Sequence, residues 1–156
     1  EYWIIGDGPH SAYLQQLAQE LGVADKVRFL GKVNRDEVLE ALGQCDVLLH
    51  PSLHDSGGTV CLEAMAAGRP MVCLDLGGPA VHVDENSGFA IPAKSPEQVV
   101  DGIAEALHSL ATDVDLRKRM SAASRQRVRD VFTEDSKAER TNALYKEIGV
   151  VGEAKG

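Results

Sequence analysis

Val47-Leu-Leu-His-Pro-Ser-Leu-His-Asp-Ser-Gly-Gly-Thr-Val-Cys-Leu-Glu-Ala-Met-Ala-Ala-Gly-Arg-Pro70 runs from an apolar strand, through a Pro/Ser/Asp/Gly loop, into a helix almost free of charge. Glu63 is the only ionisable carboxyl on that helix, eight positions after the loop carboxylate Asp55. A helix start behind glycines offers backbone N–H groups and the positive end of the helix dipole, which suits an anion such as phosphate. A lone carboxylate among Val60, Leu62, Ala64, Met65, Ala66 and Ala67 is costly to bury unless something hydrogen-bonds it. A vicinal diol such as a ribose can do so. Together these features read as a site for a ligand with phosphates at one end and hydroxyls at the other.

Strand and helix signals alternate on both sides of this stretch. Tyr2 to Ile5 reads as a strand, and Gly6-Asp7-Gly8-Pro9 as the turn after it. Leu14, Leu17, Ala18 and Leu21 recur at helical spacing, and Gly22 ends that helix. Val27-Arg28-Phe29-Leu30 is a short strand closed by Gly31. Arg35 to Gly43 is helical, Asp46 to His50 is the next strand, and the Thr59–Ala67 helix ends at Gly68. Met71 to Leu74 is a strand, Gly77-Gly78-Pro79 turns the chain, and Gly88 to Ile91 is a last, weak strand. Ser95-Pro-Glu-Gln98 opens a helix with Ser95 as cap and Pro96 in the first turn. Val99, Ile103, Ala106, Leu107 and Leu110 form its buried stripe. Two more helices follow, from about Asp115 to Val131 and from about Glu134 to Ile148, leaving residues 149–156 as a frayed tail.

Five strands separated by helices predict an α/β fold, a Rossmann-like parallel sheet with helices on both faces. Ligands of such sheets bind beyond the carboxyl ends of the strands. The glycine turns at Gly6–Pro9, Gly31, Ser56–Gly58 and Gly77–Pro79 all follow strands, so they are expected on that one edge. The consecutive Gly57 and Gly58 let backbone approach a ligand closely. Their N–H groups, with those of Thr59 and Val60, are expected to face a phosphate or sugar oxygen.

The chain has 156 residues, 44% of them hydrophobic and 26% charged, enough for one domain with a real core. No apolar run reaches the roughly 18–20 residues needed to span a bilayer. The net charge of −8 gives no basic footprint for nucleic acid. Cys45, Cys61 and Cys73 sit in apolar segments without zinc spacing and read as reduced thiols, which suits a cytoplasmic protein. The chain begins at Glu1 and runs at once into a strand, the pattern expected of a piece of a longer protein.

Several other motifs have ordinary readings. Gly6-Asp7-Gly8 lacks the third glycine of a dinucleotide fingerprint, since position 11 is Ser, and reads as a tight turn. Asp113-Val114-Asp115 spells a D-x-D pattern but falls at a helix start, where capping explains it. The basic helix bearing Arg117-Lys118-Arg119 and Arg125-Gln-Arg-Val-Arg129 reads as a solvated face, with an interdomain or anionic-membrane contact as the alternative. The five histidines show no metal-ligand spacing, and only His54, beside Asp55, is placed in the site.

Pro51-Ser52, an acidic residue, glycine, and Leu62-Glu63-Ala64-Met65-Ala66-x-Gly68-x-Pro70 together resemble the signature of the retaining GT-B glycosyltransferases of glycosyltransferase family 4. Ile5-Gly-Asp-Gly-Pro9, Val27-x-Phe-Leu-Gly31, Cys45-Asp46, Leu74-Asp75-x-Gly-Gly78 and Gly88-Phe-Ala-Ile91 agree in order, so the likeness covers nearly all of residues 2–148. It implies the C-terminal, donor-binding half of a GT-B fold, truncated at its first strand. By resemblance Glu63 holds the ribose hydroxyls of a nucleotide-diphospho-sugar and Asp55, where the family has Glu, contacts the transferred sugar. Gly58, Thr59 and Val60 fall where the family presents backbone N–H groups to the donor sugar and diphosphate, with Ser56 and Gly57 counted as donor-binding in the same loop; Lys32 and Val33 fall where the base rests, and Gly6, Gly8, Gly77 and Gly78 in the remaining donor turns. Where the family has Phe two positions after the first acid, the chain has Gly57, and where a Glu often follows three positions after the glycine pair it has Val81.

The resemblance implies retaining transfer of a sugar from that donor to an acceptor hydroxyl. The donor is a substrate, and no cofactor is implied. No metal is required where backbone N–H groups and basic residues supply the positive field. The family's diphosphate-gripping Arg and Lys and its acceptor-binding N-terminal domain would precede Glu1, so the fragment alone is expected to be inactive. An inactive sugar-nucleotide-binding module and a sugar-nucleotide epimerase on the same fold are the alternatives. Location in the cytoplasm, at the inner membrane face if the basic helix meets lipid, is expected.

Overall fold

Strand β4, Met71–Leu74, is buried along its whole length, and its two-residue alternation organises the packing around it. Val72 and Leu74 face a core with Ile91, Ala106, Leu110 and Met120. Met71 and Cys73 face a second core with Cys61, Met65 and Val83. Helices therefore cover both faces of the sheet, the reason a strand buried on both sides has no polar residue.

A computed structural model of the chain describes residues 1–149. The order is β1 (Tyr2–Ile5), α1 (Ser11–Glu20), β2 (Val27–Gly31), α2 (Arg35–Gln44), β3 (Leu48–His50), α3 (Thr59–Ala66), β4, α4 (Gly77–His82), β5 (Gly88–Ile91), α5 (Pro96–Thr112), α6 (Val114–Arg127) and α7 (Glu134–Glu147). One 3-10 turn, Ala24–Lys26, precedes β2, and one turn of π-helix, Val128–Phe132, joins α6 to α7. Gly149, at φ +72, ends α7; the rest of the expected frayed tail lies outside the described residues.

The chain divides into two compact units, Glu1–Gln44 and the residues from Cys45 onward. In the first, β1 and β2 pair in parallel. Asn34 and Glu37 close the start of α2 reciprocally: the Glu37 N–H donates to Asn34 Oδ1 at 3.0 Å and the Asn34 N–H to Glu37 Oε2 at 2.8 Å. In the second, the parallel order is β3-β4-β5. The strands are parallel and alternate with helices, as the α/β reading expects, and their ladders form two sheets, β1-β2 in the first unit and β3-β4-β5 in the second.

Two helix starts expected from sequence form as anticipated. Ser95 Oγ accepts from the Gln98 N–H at 3.3 Å, and Asp113 Oδ1 accepts from the Leu116 N–H at 2.8 Å. Asp113 of the D-x-D pattern is therefore a cap. Gly77-Gly78-Pro79, expected to turn the chain, instead opens a short helix, Gly77–His82. Pro79 suits its first turn, because the N–H that proline lacks would have no intrahelical partner there.

The basic helix α6 is also not simply a solvated face. Arg117 Nη1 donates to Leu110 O in the last turn of α5 at 2.6 Å, and its Nε lies 3.7 Å from Asp46 Oδ1. Arg125 Nη2 donates to Ala67 O, at the end of α3, at 3.3 Å. Arg127 Nε donates to His82 O at 2.6 Å, its Nη2 to Val81 O at 3.1 Å, and its Nη1 to Asp84 Oδ2 at 2.9 Å. Each cation meets carbonyls that a helix end leaves without an intrahelical donor, at the negative end of the dipole. Lys118, Arg119 and Arg129 remain exposed.

His82 sits under this clamp at 7% exposure, its ring edge-on to Phe132 at 5.1 Å. Among the described residues its Nδ1 has no hydrogen-bond partner. Burial lowers its pKa below the usual histidine value; the Asp55 charge opposes this and Arg127 adds to it. Burial pushes the Cys61 and Cys73 thiols up to about 12 and about 11, so both are unreactive neutral thiols.

Two outcomes follow from the clamp. Arg127→Met should destabilise the protein by about 2–3 kcal/mol in urea unfolding, since it removes the donor from two carbonyls and from Asp84 Oδ2. Arg127→Lys should recover only part of the loss, because an ammonium cannot reproduce the three-way fork. A buried histidine that stays neutral in the folded state makes stability fall as pH drops, because the unfolded chain takes the proton first, near pH 6.5. The loss in urea midpoint between pH 7 and pH 5 should shrink in His82→Phe; an unchanged acid slope would show that His82 carries no such linkage.

Candidate functional site

The loop between β3 and α3 is built around one carboxylate. Asp55 Oδ1 accepts from the Gly57 N–H at 2.9 Å and the Gly58 N–H at 2.8 Å. Asp55 Oδ2 lies 2.9 Å from His50 Nε2, at the end of β3. The N–H groups of Gly58 and Gly57, then the His50 contact, hold the Asp55 carboxyl below the usual carboxylate range. Its backbone takes part as well: Asp55 O accepts from the Gly78 N–H at 2.9 Å, tying the loop to the start of α4.

Glycine is required at two places here. Gly58 starts α3 in the left-handed region, φ +54, and an added Cβ would stand 3.3 Å from both His82 Cε1 and Pro79 Cγ. At Gly77 and Gly78 an added Cβ would fall on the carbonyl oxygens of Asp55 and Ser56. The glycine pairs of the β3–α3 and β4–α4 connections are therefore two halves of one packed surface.

This geometry changes the expected duties. The Gly57 and Gly58 N–H groups, expected to face a ligand oxygen, are taken by the chain's own carboxylate. Among the described residues, the Thr59 and Val60 N–H groups bond no protein acceptor, as befits the first turn of a helix. Ser56 and Thr59 are exposed, and Val60 is half-buried. Glu63 lies half-buried on α3, about 6 Å along the axis from Thr59 at the helical rise. His54, the histidine expected in the site, is exposed, and its N–H lies 3.4 Å from Ser52 Oγ. His50 occupies the place beside Asp55 instead. The strand alternation could have found it: a histidine ending an apolar strand five residues before a carboxylate.

The first unit holds the other expected residues. The Gly6 N–H donates to Gly31 O at 2.8 Å, so the turns after β1 and β2 meet. They border a cleft of about 130 Å³ lined in part by Ile4, Gly6, Asp7, Ser11, Phe29 and Gly31. Asp7 Oδ1 accepts from the Gly8 N–H at 2.8 Å and from Ser11 Oγ at 2.9 Å, which makes Asp7 the organiser of that turn. Lys32 is exposed and Val33 half-buried, just after β2. Among the described residues no group of three or more His, Cys, Asp or Glu side chains converges as a metal site, and no helix is long and apolar enough to cross a membrane.

The model of the family "Glycosyl transferases group 1" matches residues 1–127. The phosphatidylinositol N-acetylglucosaminyltransferase gpi3 subunit of Schizosaccharomyces pombe is 32% identical over 146 residues, which are 93% of this chain and 31% of that protein. The structure of WaaG, a glycosyltransferase involved in lipopolysaccharide biosynthesis, superposes with a TM-score of 0.71 at 29% identity over 92% of this chain and 36% of that one. The pneumococcal O-GlcNAc transferase GtfA, in complex with UDP and GlcNAc, shares the fold at 20% identity, with a TM-score of 0.76 over 92% of this chain and 29% of that one. The chain thus spans about a third of the length of these relatives. The matched family model, the sequence identity and the parallel α/β fold together establish that the chain belongs to the glycosyl transferases group 1 family.

Proposed function

We propose that this chain is the donor-binding part of a retaining glycosyltransferase, holding a nucleotide-diphospho-sugar for transfer of the sugar to an acceptor hydroxyl. The observation that carries the reading is the β3–α3 connection, where a carboxylate, a helix start and a second carboxylate follow one another within nine residues. The Thr59 and Val60 N–H groups, at the positive end of α3, are donors for a diphosphate oxygen. Glu63, about one helical turn further, accepts the ribose hydroxyls, and Asp55 accepts a hydroxyl of the transferred sugar. The UDP and GlcNAc bound by GtfA, a protein of the same fold, support this ligand class.

In this reading the bond between the anomeric carbon and the diphosphate oxygen breaks, and its electron pair leaves with the diphosphate. The acceptor oxygen bonds to the anomeric carbon and gives up its proton to the departing diphosphate. The α3 dipole and its first N–H groups stabilise the charge that grows on the leaving diphosphate, while Asp55 and Glu63 orient sugar and nucleoside. Further cationic and acceptor-binding groups come from an N-terminal acceptor domain of the same protein. The exposed Lys118, Arg119 and Arg129 are the cations that a contact with anionic lipid would use.

Isothermal titration of the full-length protein with UDP-, GDP- and ADP-sugars should find one nucleotide class bound. Glu63→Ala should weaken that binding roughly tenfold or more, the scale of hydrogen bonds to a charged group. Binding of none of these donors would sink the donor-site reading, and equal binding by the variant would remove Glu63 from it. Product analysis on an acceptor should show a glycoside with the donor's anomeric configuration. An epimerised sugar nucleotide in its place would overturn transfer.

A further inference from the structure

Asp55 is one methylene shorter than the glutamate that the family resemblance leads one to expect, yet it is the best-held side chain of the loop. An ionised carboxylate offers about four acceptor directions. Three are used within the chain: Oδ1 accepts from the Gly57 and Gly58 N–H groups, and Oδ2 faces His50 Nε2 at 2.9 Å. Because a carboxylate can only accept, the His50 nitrogen that faces it carries the proton. His50 is itself fixed, as the last residue of β3, in register with the fully buried Cys73 of β4. Its side chain is 21% exposed and that of Asp55 is 26% exposed, so the pair sits at the surface of the core and not in bulk water.

We infer that His50 is a positioning residue for Asp55: it holds Oδ2 while the glycine N–H groups hold Oδ1, so the carboxylate presents one remaining acceptor direction to a single hydroxyl of the transferred sugar. This rests on the reading of Asp55 as a sugar contact. A longer carboxylate with both oxygens unengaged could chelate two neighbouring hydroxyls, whereas Asp55 held in this way cannot. The consequence is a donor-sugar preference decided at one hydroxyl position, set by a histidine that touches no substrate. The other titratable groups facing Asp55 are His82 from α4 and the Cys61 thiol from α3.

The test uses the full-length protein that carries this chain, with His50→Leu, His50→Gln and His50→Asn. Gln places an N–H donor near the position of Nε2; Asn is too short to reach Oδ2. Two readouts are taken. The first is the Asp55 carboxyl titration by carbon NMR without any donor: it should move up in His50→Leu and His50→Asn and return toward the parent in His50→Gln. The second is transfer from the UDP-, GDP- or ADP-sugar that the protein uses. There kcat should fall about tenfold in His50→Leu with the donor KM nearly unchanged, and Gln but not Asn should restore it. With donors lacking one hydroxyl at a time, coupling to Asp55→Asn should be confined to a single position. An Asp55 titration and a kcat that ignore all three His50 variants would overturn the inference, as would equal coupling of Asp55 to two hydroxyls. If the parent protein transfers no sugar, the donor reading fails, and the titration alone still decides whether His50 holds Asp55.

Discussion

Three arginines of α6 close the ends of three other helices, and the placement of the β3–α3 loop depends on them. Arg125 reaches the end of α3, Arg127 the end of α4, and Arg117 the last turn of α5. Carbonyls at a helix end that find neither water nor a donor are expensive, and a cation at that end also meets the negative pole of the dipole. α3 and α4 are short, Thr59–Ala66 and Gly77–His82, and such helices draw their stability from what packs on them. Their N-terminal ends face the β3–α3 loop, so fixing their far ends fixes where Asp55, Ser56 and the glycine pairs meet. The same clamp holds His82 buried against Phe132 and next to Gly58.

Within that frame, Asp55 acts first on its own backbone. It shapes the glycine loop by accepting two of its N–H groups, and only what remains of its acceptor capacity is available to a ligand. Of the N–H groups at this connection, those of Gly57 and Gly58 are therefore engaged by Asp55, and those of the first turn of α3 are not. The glycines matter for a different reason: Gly58 adopts a conformation that side-chain-bearing residues avoid, while Gly77 and Gly78 let α4 come against the Asp55 and Ser56 carbonyls. Close approach to the Asp55 and Ser56 carbonyls is what the missing side chains of Gly77 and Gly78 permit.

Much of the fold is legible in local pattern. β4 can be found because Met71-Val-Cys-Leu74 is uniformly apolar, and α5 because Ser95 and Pro96 mark its start before an apolar stripe. The Asn34/Glu37 capping box was equally available as a spacing signal for α2. α4 was hidden, because Gly-Gly-Pro has poor helix propensity and its helical form comes from docking on the β3–α3 loop and from Arg127 at its end. The basic helix was misleading for a related reason. Arg117, Arg125 and Arg127 look like a solvated face in one dimension, and their acceptors lie 7, 58 and 45 residues away.

The sequence by itself determined the alternation of strands and helices, the caps at Ser95 and Asp113, and the neighbourhood of Asp55 and Glu63, because periodicity and capping depend on residues a few positions apart. Only the tertiary structure decided that the strands pair as two parallel sheets, that His50 and not His54 stands beside Asp55, and that Asp55 takes the glycine N–H groups for itself. Strand pairing is set by distant partners, and the direction of a side chain at a strand end is set by the register that anchors it. Acceptor capacity is shared among groups that only the folded chain brings within hydrogen-bond distance.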